Sequence, residues 1–221
     1  MSAIQTQGES IPHRSQAGDT LDPNNYNPDS VLFKHDRLYK HSLLRINYTT
    51  YDVRRSQDVV NPSTSRCNIM LLADPQNDED IRSNHPFRYA RVLQVYHANV
   101  LYVGPGLVDY QPRRLEFLWV RWYECVDPLR TGWSARKLDR VRFLPVTNDD
   151  AFGFVDPSDV LRGCFVLPRF SGGFFYVDGK GLSHSAQDSH DYAQYFVNRC
   201  VCFYLHYIFS QWHKDLSIVI W

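Results

Sequence analysis

The residues of this chain whose types and spacing bear on chemistry are its basic pairs and its indoles. Arg54-Arg55, Arg113-Arg114 and Arg136-Lys137 are cationic pairs suited to backbone phosphates. Trp119, Trp122, Tyr123 and Trp133 supply rings for an aromatic pocket, either a cage for a methylated ammonium or a platform for a base. The whole chain is neutral, with 24 basic and 24 acidic side chains, which excludes the overall basicity of many nucleic-acid binders. Its charge is uneven, however: between Arg113 and Arg142 eight Lys/Arg stand against four Asp/Glu.

Catalytic constellations are missing from the sequence. There is no G-x-S-x-G nucleophile elbow and no H-E-x-x-H. Gly179-Lys180 lacks the first glycine and the following hydroxyl residue of a phosphate-binding loop. His184, Asp188 and His190 match no common zinc spacing, and Cys200-Val201-Cys202 has no second pair. The acidic stretch 74–84 lacks the alternating ligands and distant glutamate of a calcium loop. No metal, cofactor or catalytic residue is expected. The enzyme alternative is a metal-dependent nuclease, whose minimum is a cluster of carboxylates within metal-bridging distance.

The elements that must position these residues read as short strands. Two alternating runs, Arg88 to His97 and Leu115 to Tyr123, flank Gly104-Pro105-Gly106 and predict a long antiparallel pair. Leu93, Val95 and His97 share one face of the first; Phe117, Trp119, Arg121 and Tyr123 share one face of the second. Trp119 and Trp122 fall on opposite faces, because their separation is odd. Further strands are expected at Val31–Phe33, Leu43–Tyr48, Cys67–Ala73, Val100–Val103, Val141–Pro145 and Val160–Leu167, with a turn or one-turn helix at Asp156–Asp159. Ser171 to His190 reads as a loop. The fold class is mostly β with minor α, as a small partly open barrel or twisted antiparallel sheet. Arg121 sits inside an apolar strand, so it must pair or stack; Glu116, Asp156 and Asp159 are its candidate carboxylates, and Trp119 and Tyr123 its candidate rings.

Domain limits follow from composition. Residues 1–29 are polar and aperiodic and read as a disordered tail, 30–199 as one β-rich domain, and 200–221 as an atypical tail. The polar start carries no secretory signal, no run is long and apolar enough for a membrane helix, and the five cysteines are odd in number and scattered. These features predict an intracellular chain with reduced thiols and no membrane partner. Nothing in the sequence fixes an oligomeric state.

Several motifs in order also carry a resemblance. Val31-Leu32-Phe33-Lys34, the run Arg45 to Arg55, Asn61-Pro62, His85-Pro86-Phe87-Arg88-Tyr89-Ala90-Arg91-Val92, Leu118-Trp119-Val120-Arg121-Trp122, Ala151 to Pro157 and Asp159-Val160-Leu161-Arg162-Gly163 together resemble the C-terminal region of Plavaka-type transposases of mushroom-forming fungi. The likeness spans roughly 29 to 199. It implies a mobile-element protein that works on DNA in the nucleus. That family's nuclease-fold core lies upstream of the matching region, so no catalytic residue carries over. The order of the strands is also similar to bromo-adjacent homology domains of chromatin proteins, an analogy of fold. After Arg199 the family pattern stops, and residues 200–221 are expected to be intron read-through. The sequence thus predicts a non-catalytic, transposon-derived binding module with DNA or chromatin as partner. The alternative is a reader of histone tails or peptides that uses the aromatic pocket.

Overall fold

The computed structural model describes residues 30–49, 55–73, 85–103, 111–127, 138–198 and 217–220. The strands are β1 (Val31–His41), β2 (Leu44–Thr49), β3 (Arg55–Val60), β4 (Asn68–Leu72), β5 (Phe87–Tyr102), β6 (Arg113–Cys125), β7 (Asp139–Phe143), β8 (Phe152–Val155), β9 (Val160–Pro168), β10 (Tyr195–Asn198) and β11 (Ser217–Ile220). Asp156–Asp159 does form a helical turn, as Pro157 and the Asp156 cap of the Ser158 N–H suggest. The described chain is mostly β, as its alternation and aromatic content predict.

Long β5 and β6 pair antiparallel from Tyr89↔Tyr123 to Val100↔Arg113. Val100–Val103, expected as a separate strand, is instead largely the end of β5. Each of these two strands changes its outer partner along its length. The first part of β5 pairs with β4 and its later part with β1; the end of β6 pairs with β7 and its middle with β8. One end of the pair therefore closes a six-stranded barrel, β4-β5-β6-β7-β10-β9, while the other opens into the sheet β1-β5-β6-β8. A second sheet, β11-β2-β3, is packed against the first. β11 lies in the stretch read as an atypical tail, and it pairs with β2 from Ser217↔Asn47 to Ile220↔Leu44.

Leu93 is an extra residue in β5: the register moves from Val92↔Val120 to Gln94↔Trp119. A one-residue bulge reverses which side chains face which way. Tyr89 and Arg91 thus share a face with Gln94 and Tyr96, whereas Ala90 and Val92 share theirs with Val95. Leu93 does not simply continue the alternation of Val95 and His97, which corrects the strand reading there.

Two cores result. Inside the barrel lie Met70, Tyr89, Tyr123, Val141, Phe143, Cys164, Tyr195 and Val197. Between the sheets lie Leu44, Ile46, Val60, Val92, Val95, Leu118, Val120, Trp122 and Val160. A charged clasp joins the layers: Arg162 Nε donates to Asp58 Oδ2 at 2.6 Å, Gly163 N–H donates to the same oxygen at 3.1 Å, and the guanidinium lies 3.4 Å from the Tyr48 ring centre. In the inter-sheet core, Gly153 leaves room for Trp122, since a Cβ there would stand 2.6 Å from the indole Nε1. Arg88 lies over that indole, 3.9 Å from its ring centre. Gly153→Ala is expected to lower stability by about 1–3 kcal/mol through overpacking, measured by denaturant unfolding, because the buried indole cannot step aside. An unchanged midpoint would show that Trp122 repacks freely.

Candidate functional site

Both ends of the barrel interior carry buried charge. At one end His85 Nε2 lies 3.3 Å from Asp139 Oδ2, and Nδ1 lies 2.7 Å from the Phe87 carbonyl oxygen. Tyr89 OH donates to the same Asp139 oxygen. The Phe87 N–H also lies 3.2 Å from Nδ1, but the shorter contact to the carbonyl oxygen and the Asp139 carboxylate both favour a protonated ring. Burial opposes that charge, but Asp139, Cys125 and the Phe87 carbonyl outweigh it and push the His85 pKa up to about 10. The folded value lies above the ordinary value near 6.5, so the stabilisation is complete below about pH 6.5 and is lost as pH rises toward 10. Thermal unfolding is therefore expected to show a midpoint that falls between pH 7 and 10, and His85→Gln should flatten that slope.

At the other end Asp191 bridges two guanidiniums. Arg91 Nη1 donates to Oδ1 at 3.0 Å, Arg121 Nη1 donates to Oδ2, and Tyr195 OH donates to Oδ1 at 3.2 Å. Both guanidiniums stack on Phe143, with Arg121 at 4.0 Å and Arg91 at 4.3 Å from the ring centre. The pairing expected of Arg121 is thus real, but the partners differ. The carboxylate is Asp191, not Glu116, Asp156 or Asp159, and the ring is Phe143 from β7, brought near by closure of the barrel. Asp188 fastens the same loop by accepting from the Leu182 and Ser183 N–H groups. Burial and Asp191 push the Tyr195 hydroxyl up to about 12, so it remains a donor. Arg121→Met should cost about 3 kcal/mol, the scale for breaking a buried pair. Asp191→Asn should cost more, because it strands two guanidiniums at once. Urea unfolding of both variants tests the order, and Arg121→Met at wild-type stability would refute a structural role.

Beyond the barrel, the face that carries Arg91 and Arg121 continues onto the open sheet. Cross-strand partners share a face, so its rows can be read from the register. They are Arg91–Arg121–Phe152, then Gln94–Trp119–Phe154, then Lys40–Tyr96–Phe117, then Leu38–Ala98–Leu115, then Phe33–Val100–Arg113. The rings touch in two groups, joined by the Trp119↔Phe154 cross-strand pair. Trp119 and Phe152 are 6.1 Å apart, Phe154 meets Phe117 edge to face at 5.6 Å, and Phe117 and Tyr96 lie at 5.7 Å. Phe154 is 72% exposed, and Leu38 and Leu115 are about half exposed. A ladder of rings thus crosses β8, β6 and β5 in contact with solvent, with Lys40 and Arg113 at its margin. Alternation of Phe152 and Phe154 about Gly153 was the sequence signal for its far side, and it was missed because that segment was not read as a strand.

The expected site residues are dispersed. Arg113 lies on the ring face, whereas Arg114 points to the opposite face and pairs with Glu116 at 2.8 Å. Arg55 opens β3, in the other sheet, and is exposed. Arg54, Arg136, Lys137 and Trp133 lie outside the described residues. Of the proposed aromatic pocket, Trp119 belongs to the ladder, Trp122 is buried between the sheets, and Tyr123 is buried in the barrel, where its OH donates to Asn68 Oδ1 at 3.0 Å. Trp122 and Tyr123 line different cores, so these residues do not form one cage. Among the described residues no three His, Cys, Asp or Glu are placed to hold a metal ion, and no helix is long and apolar enough to cross a membrane.

Comparison of the chain with protein-family models, with curated proteins and with solved structures finds no match. The resemblance to the Plavaka-type transposases accordingly rests on the motifs alone.

Proposed function

We propose that this chain is a non-catalytic nucleic-acid-binding module that lays single-stranded DNA across the open sheet β1-β5-β6-β8. The observation that carries this reading is the solvent-facing ladder Phe152–Trp119–Phe154–Phe117–Tyr96. Successive bases stack on such rings without regard to sequence, while cations at the margin follow the phosphates. Along β1 and the start of β6, Lys34, Arg37, Lys40, Arg113 and Arg114 stand against Asp36 and Glu116, so this margin is locally positive, whereas Asp149, Asp150, Asp156 and Asp159 flank β8 at the opposite margin. A duplex keeps its bases paired and presents no free ring faces, so the ladder favours a single strand over a double one. The motif likeness to mobile-element proteins agrees with a DNA partner and with a nuclear setting.

Titration of the full chain with a fluorescent oligothymidylate tests the proposal. Phe154→Ala is expected to weaken binding by about 1–3 kcal/mol, the usual worth of one stacked base. Its unfolding free energy should stay within about 1 kcal/mol of wild type, because Phe154 is largely exposed. Affinity should fall with salt. Absence of binding at low salt, or an unchanged affinity of Phe154→Ala, would overturn the reading.

A further inference from the structure

Two polar atoms on the ring face are buried and unpartnered. Arg121 Nε and Gln94 Oε1 find no hydrogen-bond partner among the described residues. Arg121 is only 3% exposed. Such groups are unfavourable and rare in native folds, and each calls for a cause. For Gln94 the placement supplies one. Gln94 is the cross-strand neighbour of Trp119 on the side away from Phe154. Arg121, two residues further along the strand, is clamped in the barrel by Asp191 and Phe143, so the subsite is argued from the glutamine oxygen alone. An indole with a phenyl ring on one flank therefore has an unused acceptor on another.

We infer that Trp119 marks a base-reading subsite, in which one nucleobase stacks on the indole and donates an N–H of its edge to Gln94 Oε1. The inference rests on the nucleic-acid reading and deepens it. Every base carries an N–H donor on its Watson–Crick edge, so a planar heterocycle stacks and satisfies the orphaned acceptor at once. An aliphatic or acidic side chain of a peptide cannot both stack and supply that donor. Gln94 Oε1 is covered in the free chain, so a neighbouring side chain must move to admit the base.

The test compares two strands on wild type and on Gln94→Leu. One strand is oligothymidylate. The other carries difluorotoluene, a shape mimic of thymine that stacks but bonds poorly, at every base. Wild type should prefer thymine about tenfold, the worth of one hydrogen bond. Gln94→Leu should bind both strands alike and be at least as stable as wild type, since an orphaned acceptor has been replaced by an apolar group of similar size. Wild type that binds neither strand would fail the nucleic-acid reading itself. Equal binding of both strands by wild type, or a preference retained in Gln94→Leu, would overturn the subsite and leave the broader reading standing. A Gln94→Leu chain less stable than wild type would also overturn it, because the amide would then have an internal partner.

Discussion

The length of the β5–β6 pair sets the architecture. Both strands outrun the barrel wall: β5 has 16 residues and β6 has 13, whereas the other walls, β4, β7, β9 and β10, have 5, 5, 9 and 4. An antiparallel pair has a hydrogen-bonding edge on each outer side, and those edges must find partners wherever they are shielded from water. Short partners cannot cover a long strand, so β4 gives way to β1 along β5, and β7 gives way to β8 along β6. One continuous ribbon thereby serves a closed ring and an open sheet. The bulge at Leu93 lets a single face run through both, because it keeps Arg91 and Gln94 on the same side despite an odd separation. The ring ladder and the buried ionic cluster are successive rows of that face.

Charge helps hold the irregular parts to this frame. The loop from Phe170 to Gln194 contains no strand among its residues, only a 3-10 turn and an isolated bridge between Phe174 and Tyr192, and it leaves Phe170 and Val177 largely exposed. Apolar contact holds part of it, since Ala186 is fully buried and Tyr192 packs on the barrel core. The two ion pairs of Asp191 tie it to β5 and β6, and Asp188 braces it internally on the Leu182 and Ser183 amides. A buried ion pair adds less net stability than its Coulomb energy suggests, because both groups lose their water. Its value here is positional. Stacking of both guanidiniums on Phe143 restricts them to one geometry, so the loop has one place to sit. The Arg162–Asp58 clasp does the same for the second sheet, with the added bond from the Gly163 amide.

How much of this was legible in the sequence differs by the range of the interaction. Alternation located β5 and β6 and the partition of Trp119 from Trp122, because period two is a local property of the chain. It could not locate the Leu93 bulge, which exists only relative to the partner strand. Strand β3, Arg55-Ser56-Gln57-Asp58-Val59-Val60, was not read as a strand because most of its residues are polar; its pairing with β2 and the clasp to Arg162 make it one. The need for Arg121 to find a carboxylate follows from its apolar neighbours, but Asp191 lies 70 residues away in a stretch with no periodicity. The aromatic set Trp119, Trp122, Tyr123 and Trp133 was drawn from nearness in sequence, whereas the ladder is assembled across strands from Tyr96, Phe117, Trp119, Phe152 and Phe154. Spacing along one strand says which side a ring takes; only pairing says which rings meet.

Among the described residues β1 ends the sheet, and an exposed ladder of rings near such an edge invites self-association. The outer edge of β1 carries Lys34, Arg37 and Lys40, and its pairing with β5 is interrupted between Phe33 and Leu38, where His35 and Asp36 take left-handed φ values of 62° and 53°. Charge and an irregular edge are the two devices by which sheets discourage a second copy from adding on. Left-handed residues other than glycine carry a conformational cost, so the interruption is maintained at some expense to the fold. The rings next to it are nevertheless left uncovered. A surface defended against its own kind yet still apolar is consistent with an unlike partner, and cations along the same margin favour one that is negatively charged. A single strand of nucleic acid meets both conditions: it has ring faces for the ladder and phosphates for the edge.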